Sequence, residues 1–185
     1  MRAPMLLAAA LLAGAAACSS SSSPAAQPTV TRTSPAPVLT RPAIPPKPLS
    51  SCHLGATAAL ASATGVTWTG SVGQSSGTEC DVSLTATGST LAVTVTPSTT
   101  VTLDLQDRRR DLPKRSGRTD LALTGTSVGA AYVSGGKASF LLYAGNTARV
   151  VSLVLVVPAT KTDAASLTQT ANGVIAWALA QPFST

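Results

Sequence analysis

The chain is poor in the side chains that do chemistry. It holds one histidine, His53, one glutamate, Glu79, and only seven acidic residues in 185. A metal centre needs several His, Cys, Asp or Glu ligands at workable spacing, and this set offers none, so neither a metal nor a cofactor is expected. Glycosidase-type carboxylate pairs would draw on a small pool of acids that mostly sit beside basic residues. Also missing is any apolar run of about 20 residues, the length that crosses a membrane as a helix. The three cysteines, Cys18, Cys52 and Cys80, lack the Cys-x-x-Cys spacing of a redox couple and are too few for a zinc site.

What is present begins at the N-terminus. Arg2, a short apolar run from Met5 to Ala17 and small residues meeting Cys18 (LLAGAAACSSSSSP) are the parts of a secretory signal peptide, in order. Ala15-Ala16-Ala17 also satisfies ordinary signal cleavage, whereas a lipobox prefers Leu where Ala15 stands; both cleavages fall at one bond. Cysteine parity separates them. One disulfide in a secreted chain leaves a spare thiol, and a thioether-linked diacylglycerol on Cys18 removes it, leaving Cys52 and Cys80 to pair. The expectation is a signal peptide over 1–17 and a palmitate-type lipid anchor at Cys18, with more than one acyl chain for stable attachment. The alternative is a freely secreted protein with an unpaired thiol.

From Cys18 to Leu49 the composition is Ser, Pro, Thr and Ala, ending in RPAIPPKP, which cannot bury enough apolar surface to offset ordering. This reads as a disordered tether of residues 18–49 that holds one domain, residues 50–185, clear of the membrane on its extracytoplasmic face. The formal charge of +6 includes Arg2, Arg32, Arg41 and Lys47 of the leader and tether, so the domain itself carries only +2. Nucleic acid is not an expected partner.

Within the domain, Gly55 to Thr64 is Ala-rich and closes at Gly65, the pattern of a short helix with a glycine C-cap. Cys80 to Ala86 alternates apolar and polar residues, Thr87-Gly88-Ser89 turns, and Leu91, Val93 and Val95 continue to Pro97: a β-hairpin with one buried face. Three further strands, 127–134, 137–143 and 148–157, are separated by Gly135-Gly136 and Gly145-Asn146. The last, ARVVSLVLVV, is apolar on both sides and predicts a central strand covered on both faces. Thr162 can cap a helix to Leu179, in which Ala164, Leu167, Ala171, Val174, Ile175 and Ala178 recur at helical spacing. The fold class is α+β: an antiparallel sheet packed by a short N-terminal helix and a C-terminal helix, with one disulfide, Cys52–Cys80, as a structural staple.

These features together, with Ser51-Cys52-His53-Leu54 opening the first helix, a second cysteine on a strand, VGAAYVSGGKASFLLYAGN and an Ala-rich last helix, resemble the actinobacterial lipoproteins grouped as domain of unknown function 3558. The resemblance implies an envelope location and this fold more than any chemistry.

Two motif hits carry little. Gly125-Thr126-Ser127-Val128-Gly129 has the letters of a nucleophile elbow, but VGAAYVSGG reads as a strand where an elbow needs a helix, and His53 precedes the serine, opposite to the usual order. Ser134-Gly135-Gly136-Lys137 lacks the upstream glycine and following helix of a phosphate loop. No catalytic residue is assigned, and an enzyme is the weaker class. The polar stretch DLQDRRRDLPKRSGRTD, residues 104–120, sets Arg108, Arg109, Arg110, Lys114, Arg115 and Arg118 among four Asp. It reads as a solvated short helix and loop, and as a candidate contact for an envelope lipid, a wall polymer or an acidic envelope protein. Two functions follow: a non-catalytic binding or sensing module for an apolar or amphiphilic ligand, or an adaptor with no small-molecule ligand.

Overall fold

The computed structural model describes residues 54–75 and 79–183. The predicted hairpin forms as β2 (Cys80–Ala86) and β3 (Ser89–Pro97), with Cys80, Val82 and Leu84 opposite Val95, Val93 and Leu91 on one buried face. A second meander follows: β5 (Val128–Ser134), β6 (Lys137–Gly145) and β7 (Arg149–Pro158). Gly135 and Gly136 both have positive φ, which matches the twist of a two-residue hairpin turn between β5 and β6. β7 pairs with both β3 and β6 and joins the two meanders. Two strands that no period in the sequence announces complete the sheet: β1 (Gly70–Ser75) beside β2, and the short β4 (Arg118–Asp120) beside β5. The order is β1-β2-β3-β7-β6-β5-β4, antiparallel throughout, with β7 in the middle. The α+β class stands.

One face of this sheet is continuous and apolar: Val82, Leu84, Leu91, Val93, Leu153, Leu155, Phe140, Leu142 and Ala131 follow one another across the strands in register. α3 (Ala164–Leu179) lays Leu167, Ala171, Val174, Ile175 and Ala178 on it, the predicted 3.6-residue stripe. Its cap is Asp163, not Thr162. Asp163 is extended and accepts from the Ser166 N–H, which holds its carboxyl below the usual carboxylate range, the helix-first-turn role that Asp fills well.

α1 (Ala58–Thr64) ends at Gly65 as predicted, in the left-handed conformation. It starts later than Gly55, because the backbone there is engaged elsewhere. The Gly55 N–H donates to Gln181 Oε1 at 2.5 Å, and the Ala56 carbonyl accepts from Trp177 Nε1 at 3.0 Å. Both partners lie at the C-terminal end of α3, so α1 is tied to that helix.

The second face differs from the expectation. α2 (Val101–Arg110) begins three residues before the polar stretch and covers only one end of it, where Val101 and Leu105 close over Gly145 so tightly that no side chain fits there. Beyond α2 no described helix covers this face of the sheet. Val154 of β7 is 47 % exposed and Val156 is half-buried, so the central strand is covered fully on one face and partly on the other. The neighbours of Val154 on that face, Ala92 and Leu141, are small or only half-exposed, and Thr and Ser surround them, which makes an uncovered valine tolerable there.

Cys80 is fully buried, and its sulfur is engaged rather than a free thiol. Cys18, Cys52 and His53 lie outside the described residues.

Candidate functional site

The helical layer leaves a cleft. α3 has 16 residues and α1 only seven, about 24 Å against 10 Å of helix, so α1 cannot cover its partner. A cleft of about 910 Å³ runs along their seam and on past the end of α1 to the ends of β6 and β7. Ala138, Phe140, Val157, Leu167 and Trp177, all core residues, form its floor. Its walls come from one stripe of α3 (Ser166, Gln169, Thr170, Gly173, Ala176, Ala180) and from Ala59, Ser62 and Ala63 of α1. The size lies within the usual range of small-molecule sites. Among the described residues, Lys161, in the β7–α3 connection, is the only charged one lining it.

Why this region is neutral can be read from the chain. No charged residue occurs from Leu54 to Thr78, nor from Ala164 to Thr185. Both helices of this layer are therefore built from Ala, Ser, Thr, Gly, Gln and Asn on their outer sides, whereas a surface helix ordinarily carries charge there.

The charges gather elsewhere. Of the six cations singled out in the sequence, four have partners within the fold. Arg108 lies over the Tyr143 ring, 5.3 Å from its centroid, and Arg115 over Tyr132 at 6.0 Å. Arg110 bridges Asp107 and Asp111, each at 3.3 Å and well exposed. Arg118 is the most buried of the set. It donates to Asp120 Oδ1 from Nε and Nη2 (2.8 and 2.6 Å) and from Nη1 to the carbonyls of Leu112 and Pro113 at 3.3 Å. Tyr132 Oη donates to the same Pro113 carbonyl at 2.7 Å. Arg109 and Lys114 are exposed and make no such contact among the described residues. The structure thus divides the run into cations that build the α2–β4 connection and two that are free for a partner.

A second buried cation escaped the sequence reading. Arg149, at the start of β7, is 8 % exposed and directs its guanidinium at the end of α3, where the carbonyls of Leu179, Gln181 and Phe183 accept from it. Burial pushes its pKa below the ordinary arginine value. No carboxylate pairs with it among the described residues; the negative end of the helix dipole takes that place.

The motif hits fall on ordinary structure. Ser127 runs straight into β5 rather than into a helix, and Gly129 is packed against Leu141 and Leu142 of the next strand. Ser134 to Lys137 is the β5–β6 turn. Among the described residues no group of three or more His, Cys, Asp or Glu is placed to hold a metal ion, and no helix is long and apolar enough to cross a membrane.

The cleft itself was not legible, because it arises from the unequal lengths of two helices; the missing charge at both ends of the domain was its one signal. No family model, no curated protein and no solved structure matches this chain.

Proposed function

We propose that this chain is a lipoprotein of the cell envelope, anchored through acylated Cys18 to the extracytoplasmic face of the membrane, whose domain is a non-catalytic module that holds or senses an apolar or amphiphilic ligand in the α1–α3 cleft. The observation that carries the reading is the cleft: about 910 Å³ with Phe140, Leu167 and Trp177 in its floor and a charge-free wall on either side. A lipid-like ligand needs such a surface and little else. The same proposal pairs Cys52 with buried Cys80, a staple that closes the chain across α1 and β1 and restricts the unfolded state by roughly 3 to 4 kcal/mol. The likeness to the lipoproteins of domain of unknown function 3558 supports the location and adds nothing on the ligand.

An adaptor without a small ligand is the second reading, favoured by the open sheet face around Val154 and by exposed Arg109 and Lys114.

Mass spectrometry of the protein taken gently from its own envelope tests both. The expected denatured mass is that of Cys18 onward plus acyl chains, with two thiols appearing only after reduction. The expected native mass includes a reproducible adduct that is lost on denaturation. An unacylated mass overturns the anchor. Acylated protein with no adduct overturns the carrier reading and turns the search to crosslinked protein partners.

A further inference from the structure

The polarity of the cleft narrows its ligand. The floor is apolar and the walls offer hydroxyls and amides from Ser62, Ser166, Gln169 and Thr170, none of them charged. One charge reaches the lining, the Lys161 ammonium, at the end near the N-terminus of α3. Asp163, two residues on, caps that helix through the Ser166 N–H, so the first-turn donor is already satisfied from within; its exposed carboxylate also interacts with Lys161 and offsets part of the positive charge there. Among the described residues no Asp or Glu lines the cleft itself. The cleft therefore has an apolar length, a neutral polar edge and a single positive end.

We infer that the α1–α3 cleft takes one acyl chain ending in an anionic head, the chain along the Ala59, Ala63, Gly173 and Ala176 walls above the nearly closed floor of Phe140, Leu167 and Trp177, and the head at Lys161. This rests on the proposed ligand-binding role of the cleft and specifies its ligand class. A single chain fits the one seam, and a carboxylate or phosphate monoester head fits the one cation. Two adjoining residues make the idea testable without disturbing the core. Lys161 is exposed, so its replacement leaves packing intact; Ala59 is exposed on the wall, so a large side chain there fills the cleft from outside.

The experiment uses the full chain with Cys18→Ser, so that no acyl group of its own competes, and Trp68→Phe, so that Trp177 reports from the cleft floor. Its fluorescence is titrated with decanoate, dodecanoate and tetradecanoate, with the corresponding primary alcohols, with dodecyl phosphate and with inorganic phosphate alone. The expected result is saturable single-site binding of the acids, tightening about fourfold per buried CH₂. The alcohols bind about three- to fivefold more weakly, the worth of one exposed ion pair. Lys161→Gln lowers acid binding to the level of the alcohol, Lys161→Glu lowers it further, and Ala59→Phe, which adds bulk without a second indole, abolishes both. Dodecanoate and dodecyl phosphate compete with each other, and their ratio ranks the two head chemistries. If acid and alcohol bind equally, or Lys161→Gln changes nothing while Ala59→Phe abolishes binding, the head assignment fails and the cleft reading stands. If no chain binds, or binding survives Ala59→Phe, both fail. Inorganic phosphate binding as tightly as dodecyl phosphate overturns the acyl chain.

Discussion

Gly173, midway along α3, faces Ala63 of α1 so closely that a Cβ placed on the glycine stands 2.6 Å from the Ala63 Cβ. This contact fixes how near the two helices come and hence where the wall of the cleft lies. A glycine inside a 16-residue helix costs about 1 kcal/mol relative to alanine, so close approach is what the position gains in exchange.

Gly173→Ala sets these terms against each other. Helix propensity gains about 1 kcal/mol, and overpacking at a rigid Cβ–Cβ contact loses about 1 to 3 kcal/mol. The expected net result is a lower midpoint in urea, with Gly173→Val worse than Gly173→Ala. Ala63→Gly added to Gly173→Ala should recover part of the loss, since it removes the atom that is struck. A Gly173→Ala protein as stable as wild type, with no coupling to position 63, would show that the seam yields freely.

The second test concerns Arg149, whose guanidinium gathers the carbonyls of Leu179, Gln181 and Phe183 at the end of α3 and lies 5.4 Å from the Phe183 ring centroid. Arg149→Ala strands those buried acceptors and should cost about 2 to 4 kcal/mol. Arg149→Lys should recover less than half of that, because a point-like ammonium cannot serve three carbonyls as a planar fork does. Limited proteolysis gives an independent readout: release of residues near Phe183 should precede global unfolding in Arg149→Ala. Full rescue by lysine would mean that charge alone, not the fork, secures the C-terminus.

Wherever burial imposes a short period, the sequence was readable. Alternation from Cys80 to Ala86 and Leu91 to Val95 gave the hairpin, glycine pairs gave the turns, and the Leu167–Ala178 stripe gave α3. β1 was not readable because GSVGQS has no apolar period; it is held by its ladder to β2. β4 is three residues long and depends on the Arg118 contacts that surround it. α2 was seen as polar helix and loop, and Val101 and Leu105, which dock it on the sheet, lie at its less polar start. The site fared worse. The cleft depends on tertiary lengths, and nothing in the sequence separates Arg149 from any other strand-end charge; only the end of α3 packed against it does.

The basic run offers the last prediction, since its members no longer have one role. Arg118 is 23 % exposed at its side chain and ties β4 to the Leu112 and Pro113 carbonyls; its partner Asp120 is 77 % exposed, so the ion pair adds little and the carbonyl contacts carry the effect. Arg118→Ala should therefore lower stability by about 1 to 2 kcal/mol, and Asp120→Asn by much less. Arg109→Glu with Lys114→Glu touches no contact of the fold and should leave the urea midpoint within about 0.5 kcal/mol of wild type. If these two cations meet an anionic envelope component, then in a Cys18→Ser background, which removes the proposed acyl anchor, the double variant should elute from isolated envelopes at lower salt than the Cys18→Ser parent, while Arg118→Ala, once folded, should not. Equal elution of the Cys18→Ser parent and the double variant would remove the basic run from any account of binding and leave it as the scaffold of α2 and β4.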